Sequence, residues 1–385
     1  MRIGVPKETK NNEYRIGMTP SGVAELVGDR HIVMVEKDGG CAAGFTNEDY
    51  LSAGAAVVDT AEEIFDRAEM IIKVKEPEPR ECRMLRPHQT LFTYLHLAPD
   101  PEQTRLLIAS GATCIAYETV TSADGSLPLL TPMSEVAGRM AAQEAAHCLQ
   151  KAQGGKGTLP SGVPGVPAAN FLIIGGGVVG INAARIALGM GARVTLVDRC
   201  VKRLQEIDTW YGGRLQTMYS SRYNIERLLP QTDAVIGAVL VPGAAAPKLI
   251  TREMLDLMQQ GSVLVDVAID QGGCFETSKP TMHKDPTFQL NGIIHYCVAN
   301  MPGAVARTST LALTNVTQPF IKALANQGVL QALINDPHLL AGLNVHRGLI
   351  TLKPVSQAQG HEYVESRQAL ESTIGQNLPN EQLYR

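Results

Sequence analysis

Residues 171–180 read FLIIGGGVVG, a short apolar run that ends in three consecutive glycines and is followed by the apolar spacing of a helix. Gly175, Gly177 and Gly180 have the spacing G-x-G-x-x-G. A glycine turn between a strand and a helix is typical of dinucleotide binding, because glycine permits the tight turn, the close approach of a pyrophosphate and the packing of helix on strand. Glycines with this spacing also occur in ordinary turns, so the neighbouring sequence has to decide between the two interpretations.

The next predicted strand, RVTLVD, ends at Asp198, 21 residues beyond Gly177. A carboxylate about 20 residues after the glycines accepts hydrogen bonds from the ribose hydroxyls and repels a 2′-phosphate. The sequence therefore predicts dinucleotide binding and favours NAD over NADP. Arg199, Lys202 and Arg203 keep NADP open as an alternative, because cations beside the pocket tolerate a phosphate.

Short apolar runs alternate with helical patterns on both sides of the glycine turn, which predicts βαβ units with mainly parallel sheets. The first series is RIGVP, HIVMVE, MIIKVKEP, TLFTYLHL and TCIAYETV, and the second begins at Phe171. Between them, residues 133–153 predict one long helix, and the glycine- and proline-rich residues 154–170 predict an irregular loop. A helical pattern resumes at Thr308, and the polar tail from about Pro354 is predicted to be loosely ordered.

The length of 385 residues is enough for two domains of ordinary size. We predict an α/β fold of two doubly wound domains with mainly parallel sheets. The glycine turn assigns cofactor binding to residues 129–306. We expect a terminal helix to return to the first domain, so that residues 1–128 and 307–385 form one discontinuous domain that binds the substrate.

Charge and composition exclude several classes of protein. The formal net charge is −4, with 34 Lys and Arg residues against 38 Asp and Glu residues, and no cluster of cations predicts a nucleic-acid surface. The longest uncharged apolar run, residues 234–247, contains glycines and prolines and is shorter than the roughly 20 residues that span a bilayer. The first ten residues lack the apolar core of a signal peptide, so we expect a cytoplasmic protein without membrane association, whose partners are small molecules. Seven scattered cysteines, none in a C-x-x-C pair, predict neither disulfides nor a metal site.

Four polar residues lie at or near the ends of predicted strands, or in the loop after one. Arg15 follows the first strand, Lys75 and His96 come near the ends of two others, and Asp270 ends the alternating apolar stretch that begins at residue 265. Ligands of open parallel sheets collect at the carboxyl ends of the strands, so these residues predict one site. Each also has a structural interpretation: a surface ion pair, a solvated strand end, a buried imidazole and a turn residue, respectively.

Over most of its length the sequence resembles the L-alanine dehydrogenase family. The motifs that carry the resemblance are MRIGVPKETKNNEYRIGMTP, KVKEP, FTYLHLA, SGVPGVPAANFLIIGGGVVG, GAVLVPGAAAPKL, VDVAIDQGGC, YCVANMPGAV and TSTLALTN. The resemblance implies two Rossmann-like domains joined by long helices, with the first domain built from both chain ends. It also implies the NAD-dependent, reversible oxidative deamination of L-alanine to pyruvate and ammonium, by a homo-oligomer that is usually a hexamer.

The resemblance also implies roles for particular residues. Arg15 and Lys75 are expected to bind the substrate, and His96 and Asp270 to exchange protons. With the glycines of the turn, the expected cofactor-binding residues are Ser134, Gly175, Gly177, Val178, Gly180, Asp198, Arg203, Ser220, Val239, Leu240, Val267, Ala268, Ile269, Asp270, Val298, Ala299, Asn300 and Met301.

Two alternative functions remain at this point. The nucleotide-binding subunit of proton-translocating transhydrogenase has a similar architecture and the same opening residues, but it passes hydride between two nicotinamide cofactors. The HLA and AIDQGG motifs favour alanine dehydrogenase. A non-catalytic NAD-binding or scaffold protein would be expected to lack one of the four candidate residues, and this sequence has all of them.

Overall fold

The computed structural model describes residues 1–239 and 246–376, and the chain divides into two compact units. The first unit comprises Met1–Pro132 and Val305–Arg385, and the second comprises Met133–Ala304. These boundaries lie close to the predicted ones, after residues 128 and 306. The roles of the two units, substrate binding and cofactor binding, stay predictions.

The first unit combines short buried strands with helices of six to twenty-two residues, apart from one four-residue helix. Its elements are β1 (Arg2–Val5), α1 (Pro20–Gly28), β2 (Ile32–Glu36), α2 (Asn47–Ser52), β3 (Ala56–Val58), α3 (Ala61–Arg67), β4 (Met70–Ile72), α4 (Pro79–Met84), β5 (Thr90–Thr93), α5 (Pro101–Ser110) and β6 (Thr113–Ala116). Helix α6 (Thr131–Cys148) begins at the end of this segment and continues into the second unit.

The second unit follows the same alternation. Its elements are β7 (Asn170–Ile174), α7 (Val178–Gly189), β8 (Arg193–Asp198), α8 (Val201–Tyr211), β9 (Gln216–Tyr219), α9 (Arg222–Leu228), β10 (Ala234–Gly237), β11 (Val263–Asp266), β12 (Thr287–Leu290) and β13 (Ile293–Tyr296). The chain then returns to the first unit with α10 (Ala306–Gln327), α11 (Val329–Asn335), α12 (Pro337–Leu340), β14 (Leu343–His346), β15 (Leu349–Ile350), α13 (Lys353–Gln359) and α14 (Ser366–Gln376).

The six parallel strands of each sheet have the same doubly wound order. The first runs β15-β14-β6-β5-β4-β1-β2-β3 and the second β12-β13-β11-β10-β7-β8-β9. All pairs are parallel except those made by β14 and by β12, which run antiparallel to their neighbours. The strand order therefore reverses between β1 and β4 and between β7 and β10, and ligands of such sheets bind at the carboxyl ends of the strands near these switch points.

Apolar residues of the strands form the core of each unit, which explains why these short runs become strands rather than loops. Strands β4, β5 and β6 are buried along their whole length, as are β10, β11 and β13. A strand buried on both faces is a near-continuous apolar run, as in MII or AVIG. The predicted fold class, α/β with two Rossmann-like doubly wound units, is confirmed.

Two details of the prediction were wrong. The strand predicted to end at Asp270 ends at Asp266, because the Asp266 carboxylate accepts hydrogen bonds from later backbone N–H groups and turns the chain there. The tail predicted to be loosely ordered contains α13 and α14 up to residue 376, since the buried side chains of Val355 and Leu370 anchor them. The irregular loop at 154–169 is as predicted, with only an isolated bridge inside it. Within the described residues no helix has the length and apolar character that a membrane crossing requires.

Candidate active site

The glycine turn of the second unit follows β7 and leads directly into α7. Gly175 has a φ of +108°, and a Cβ on it would lie 2.6 Å from the carbonyl oxygen of Ala238. A Cβ on Gly180 would lie 1.8 Å from the Gly175 carbonyl oxygen, so the helix packs on the turn at a distance that only glycine allows. Gly177 differs from both, because its φ of −72° is ordinary and a Cβ there would meet no atom within 4 Å. Open space therefore lies beside the Cα of Gly177.

This turn fits the pyrophosphate of a dinucleotide. Helix α7 begins after Gly177 without any side-chain cap, so its first backbone N–H groups have neither an intrahelical acceptor nor a capping one. Such N–H groups and the positive end of the helix dipole bind anions. The residues present thus form a cradle for a phosphate group, with the open side at Gly177.

Asp198 ends β8 and connects the glycine turn to the next helix. Its Oδ2 accepts a hydrogen bond from the Gly176 N–H at 2.7 Å, and its Oδ1 accepts one from the Cys200 N–H at 2.7 Å. A carboxylate has about four lone-pair sites, so acceptor capacity remains for ribose hydroxyls. The Arg203 side chain donates from Nε to the Gly176 carbonyl oxygen at 2.7 Å, and its guanidinium stacks over the Trp210 ring at 4.9 Å. Arg203 therefore braces the turn.

The remaining predicted cofactor residues of the second unit occupy several elements. Most follow the carboxyl ends of its strands: Ser220 after β9, Val239 after β10, Val267, Ala268, Ile269 and Asp270 after β11, and Val298, Ala299, Asn300 and Met301 after β13. The Ser220 N–H donates to the Asp198 carbonyl oxygen at 2.9 Å. Val178 is the first residue of α7, Ser134 lies on α6, and Leu240 lies outside the described residues.

The first unit carries the other candidate residues, beginning with Arg15 in the loop after β1. Its side chain is 3% exposed and makes a bidentate ion pair with Glu13, from Nε to Oε1 at 2.6 Å and from Nη2 to Oε2 at 2.5 Å. Burial alone lowers the pKa of Arg15, but the hydrogen bonds and charge of Glu13 raise it above its ordinary value. The site thus has a fixed, permanently charged cation. Glu13, which stands two residues before Arg15, was not among the predicted site residues.

Lys75 follows β4 and is held through its backbone. The buried carboxylate of Glu8 accepts hydrogen bonds from the N–H groups of Val74 at 2.6 Å and Lys75 at 3.3 Å. The same carboxylate pairs with Lys73 at 3.1 Å, and Lys73, which is 1% exposed, also pairs with Glu81 at 2.8 Å. Burial works against the charge of Lys73, yet the two carboxylates raise its pKa above the ordinary value.

His96 follows β5 and has an unusual backbone conformation. Its φ is +47°, which costs a non-glycine residue of order 1–3 kcal/mol and is found preferentially at functional sites. Glu118 holds this conformation by accepting the His96 N–H at 2.7 Å, and the imidazole Nδ1 lies 3.8 Å from the same oxygen. The ring, 48% exposed, stacks on the Tyr94 ring with centroids 5.8 Å apart.

The structure brings these three residues to one edge of the first sheet. They follow β1, β4 and β5, which are neighbours in the order β5-β4-β1. The Thr93 hydroxyl, at the end of β5, donates to the Lys75 carbonyl oxygen at 2.9 Å and connects two of these segments. Burial raises the pKa of Tyr94, which stacks on His96, and the nearby charge of Arg15 partly opposes that rise.

Asp270 belongs to the second unit and lies in a single 3₁₀ turn, Ile269–Gln271, after β11. Its side chain is exposed and makes no hydrogen bond or ion pair with any residue in the described part of the chain. An exposed, unpaired carboxylate is available to a ligand. It is not the strand-ending residue that the sequence predicted, since that place belongs to Asp266.

One doubly wound unit has a glycine turn and a carboxylate at the end of the next strand, and the other has a cation, an amine and an imidazole at one sheet edge. This combination is typical of two-domain nicotinamide-dependent dehydrogenases. Profiles of the alanine dehydrogenase/PNT family match residues 4–137 as its N-terminal domain and residues 141–353 as its C-terminal domain. The chain belongs to this family.

Known relatives cover nearly the whole chain. The alanine dehydrogenase of Halomonas elongata is 59% identical over 366 residues, 95% of this chain and 99% of the relative. That of Bacillus subtilis is 52% identical over 372 residues, 96% and 98% of the two chains. A solved L-alanine dehydrogenase has a TM-score of 0.90 at 49% identity, over 93% of this chain and 99% of that one. A transhydrogenase from Sinorhizobium meliloti, at 24% identity and a TM-score of 0.79 over 92% and 99% of the chains, shares the fold.

Proposed function

We propose that the protein catalyses the NAD-dependent, reversible oxidative deamination of L-alanine to pyruvate and ammonium. The observation that carries the proposal is the cluster of Arg15, Lys75 and His96 at the carboxyl edge of the first sheet. The alternative, a transhydrogenase subunit that passes hydride between two nicotinamide cofactors, needs no amino-acid pocket. In the first unit the loop after β1 has no glycine fingerprint and holds a buried arginine instead, which suits a small carboxylate. The names and identities of the relatives support the same choice.

Each residue of this cluster has a role that its surroundings suit. Arg15 binds the substrate carboxylate, because its charge is permanent and its side chain is already held by Glu13. Lys75 hydrogen-bonds the same carboxylate or polarises the keto oxygen of pyruvate. His96 exchanges a proton with that oxygen, a role worth typically 10² to 10⁴ in rate. Glu118 holds the backbone of His96 and faces its Nδ1, so the ring has a defined orientation.

The second unit is assigned to the cofactor. NAD, when bound, supplies the acceptor for the hydride that leaves Cα of alanine. The glycine turn and the N-terminus of α7 hold the pyrophosphate, and Asp198 accepts hydrogen bonds from the ribose hydroxyls, which favours NAD over NADP. Asp270 orients the ammonium group or the attacking water and accepts a proton. Its exposure and its lack of a side-chain partner within the described residues are compatible with that role.

The assembly is proposed to be a homo-oligomer, with a hexamer expected from the family. Light scattering should give a mass of several times the chain mass of 41.4 kDa. A fully active monomer at micromolar concentration would show that the activity needs no assembly.

The experiment that tests the function is a spectrophotometric assay of NADH formation with L-alanine, combined with chemical measurement of pyruvate and ammonium. One pyruvate and one ammonium should form for each NADH. His96→Ala and Asp270→Asn should each fold, bind NADH, and lose at least about 10²-fold in kcat. His88→Ala, an exposed histidine of the same unit, is the matched control for His96 and should keep wild-type kcat. Hydride transfer between two nicotinamide cofactors without oxidation of alanine would instead support the transhydrogenase alternative.

A further inference from the structure

The stretch VDVAIDQGGC contains two aspartates in very different surroundings. Asp270 is exposed, whereas Asp266, at the end of β11, is 0% exposed. No Lys, Arg or His of residues 1–239 and 246–376 forms an ion pair with Asp266. A buried carboxylate without a cation is costly unless several hydrogen-bond donors surround it. The donors to Asp266 therefore show which segments of the chain its charge stabilises.

Five donors surround the Asp266 carboxylate. Oδ1 accepts the N–H of Ala268 at 3.1 Å, immediately after the strand, and the Cys274 thiol at 3.5 Å. Oδ2 accepts the N–H groups of Cys274 at 2.9 Å and Phe275 at 3.2 Å, and the hydroxyl of Ser278 at 2.5 Å. Ala268 precedes Asp270, and the other four donors follow it. One carboxylate therefore ties together the outgoing and the returning limb of the loop that carries Asp270.

Other contacts also hold the returning limb of the loop close to the Asp266 carboxylate. A Cβ on Gly273 would lie 2.6 Å from Asp266 Oδ2, so the returning limb approaches the carboxylate as closely as glycine permits. Lys248 Nζ donates to the Gly273 carbonyl oxygen at 2.7 Å and also to that of Gly272, which holds the limb from another side. Asp270 lies between these two limbs, and its side chain makes no hydrogen bond or ion pair with the described residues.

We propose that Asp266 is a positioning residue for Asp270: its buried carboxylate fixes the base of the loop and thereby the place of the Asp270 carboxylate. This rests on the proposed function, in which Asp270 exchanges protons with the substrate. Hydrogen bonds to a charged acceptor are about twice as strong as neutral ones, so a carboxylate suits this task better than an amide. A displacement of about 1 Å at a reacting group can cost about 10²-fold in rate.

The test is a double-mutant cycle of Asp266→Asn and Asp270→Asn. Asp266→Asn keeps the size of the side chain, replaces one acceptor oxygen by a donor and should lower kcat by about 10- to 100-fold. In the Asp270→Asn background the same change should lower kcat by less than about threefold, because no carboxylate remains to be positioned. Asp256→Asn, an exposed aspartate of the same unit, is the matched control and should match the wild type in every measurement. NADH affinity and the urea midpoint of unfolding are measured for every variant.

A residue that only stabilises the fold would give a different pattern. If Asp266→Asn lowers kcat by the same factor in both backgrounds, or leaves it unchanged, the inference is overturned while the proposed function stands. If Asp270→Asn alone keeps wild-type kcat, the proposed role of Asp270 is wrong and the inference falls with it. Should Asp266→Asn fail to fold, Ser278→Ala replaces it in the cycle, because it removes one donor and leaves the charge; the same non-additivity is expected with a smaller loss.

Discussion

Two glycines of the G-x-G-x-x-G motif, Gly177 before α7 and Gly180 within it, should respond differently to replacement by alanine. The methyl group of Gly177→Ala enters open space, and the φ of −72° suits alanine, so the only expected loss of stability is that of an N-cap position, about 1 kcal/mol. The methyl group of Gly180→Ala would lie 1.8 Å from the Gly175 carbonyl oxygen, whereas ordinary van der Waals contact begins at 3.4 Å. Helix α7 would have to move by about 1.6 Å, and overpacking of this kind costs typically about 1–3 kcal/mol or more.

The two variants should also differ in how NADH affinity changes relative to stability. In Gly177→Ala the new methyl occupies the place of closest approach of the pyrophosphate, so one or two charge-assisted hydrogen bonds, each worth about 1.5–3 kcal/mol, are lost or lengthened. We expect the Kd for NADH to rise by about 10- to 100-fold while the free energy of unfolding falls by no more than about 1 kcal/mol. In Gly180→Ala both should change together.

The assay is a titration with NADH, monitored by the quenching of tryptophan fluorescence. The single tryptophan, Trp210, stacks against Arg203 beside the turn. Urea unfolding of the same preparations gives the stability. An unchanged Kd in well-folded Gly177→Ala would refute the assignment of the pyrophosphate to this turn. A Gly180→Ala variant as stable as the wild type would refute the steric argument.

Three further predictions follow from the described contacts. Asp198→Ala should raise the ratio of kcat/KM for NADP to kcat/KM for NAD by about tenfold or more, since a carboxylate that hydrogen-bonds the ribose of NAD is lost. The control Asp208→Ala, on the neighbouring helix, should leave this ratio unchanged. An unaltered ratio in Asp198→Ala would contradict the assignment of the ribose to Asp198. Lys73→Met should lower the free energy of unfolding by about 3–5 kcal/mol, because it leaves two buried carboxylates without their cation; a loss below about 1 kcal/mol in urea titration would be inconsistent with this. Burial lowers the pKa of His346 to about 4 in the folded protein, so on acidification the unfolded chain binds the proton first. The free energy of unfolding should therefore fall as the pH drops from about 6.5 to about 4, and level off below. His346→Gln should reduce this pH dependence, and an unchanged pH profile in the variant would assign the dependence to other groups.

The sequence predicted the fold through local signals. Period and composition revealed the alternation of strands and helices, and the helix predicted at 133–153 corresponds to α6, Thr131–Cys148. The glycine spacing and Asp198 were visible because they are close in sequence and each has a specific steric or hydrogen-bonding purpose. The packing at Gly175 and Gly180 agrees with the roles that the motif predicted for them.

Partners far apart along the chain could not be predicted in this way. In KVKEP two lysines alternate, and nothing local shows that Lys73 is buried with Glu8 while Lys75 is only partly buried. The contact of His96 with Glu118 likewise depends on the pairing of β5 with β6. In VDVAIDQGGC the alternation continues to Asp270, but the donors of the returning limb end the strand at Asp266. Such choices depend on tertiary contacts that a local pattern does not contain.

The pairing of β14 with β6 has a consequence for biosynthesis. The second unit is contiguous, so it is complete once residue 304 has left the ribosome, and it can fold as a unit during synthesis. The first sheet is different, because residues 1–132 leave β6 as an open edge until Leu343–His346 emerges and pairs with it. Unpaired strand edges template aggregation. A nascent chain therefore carries Thr113–Ala116 as an edge without its final partner strand throughout the synthesis of the whole second unit.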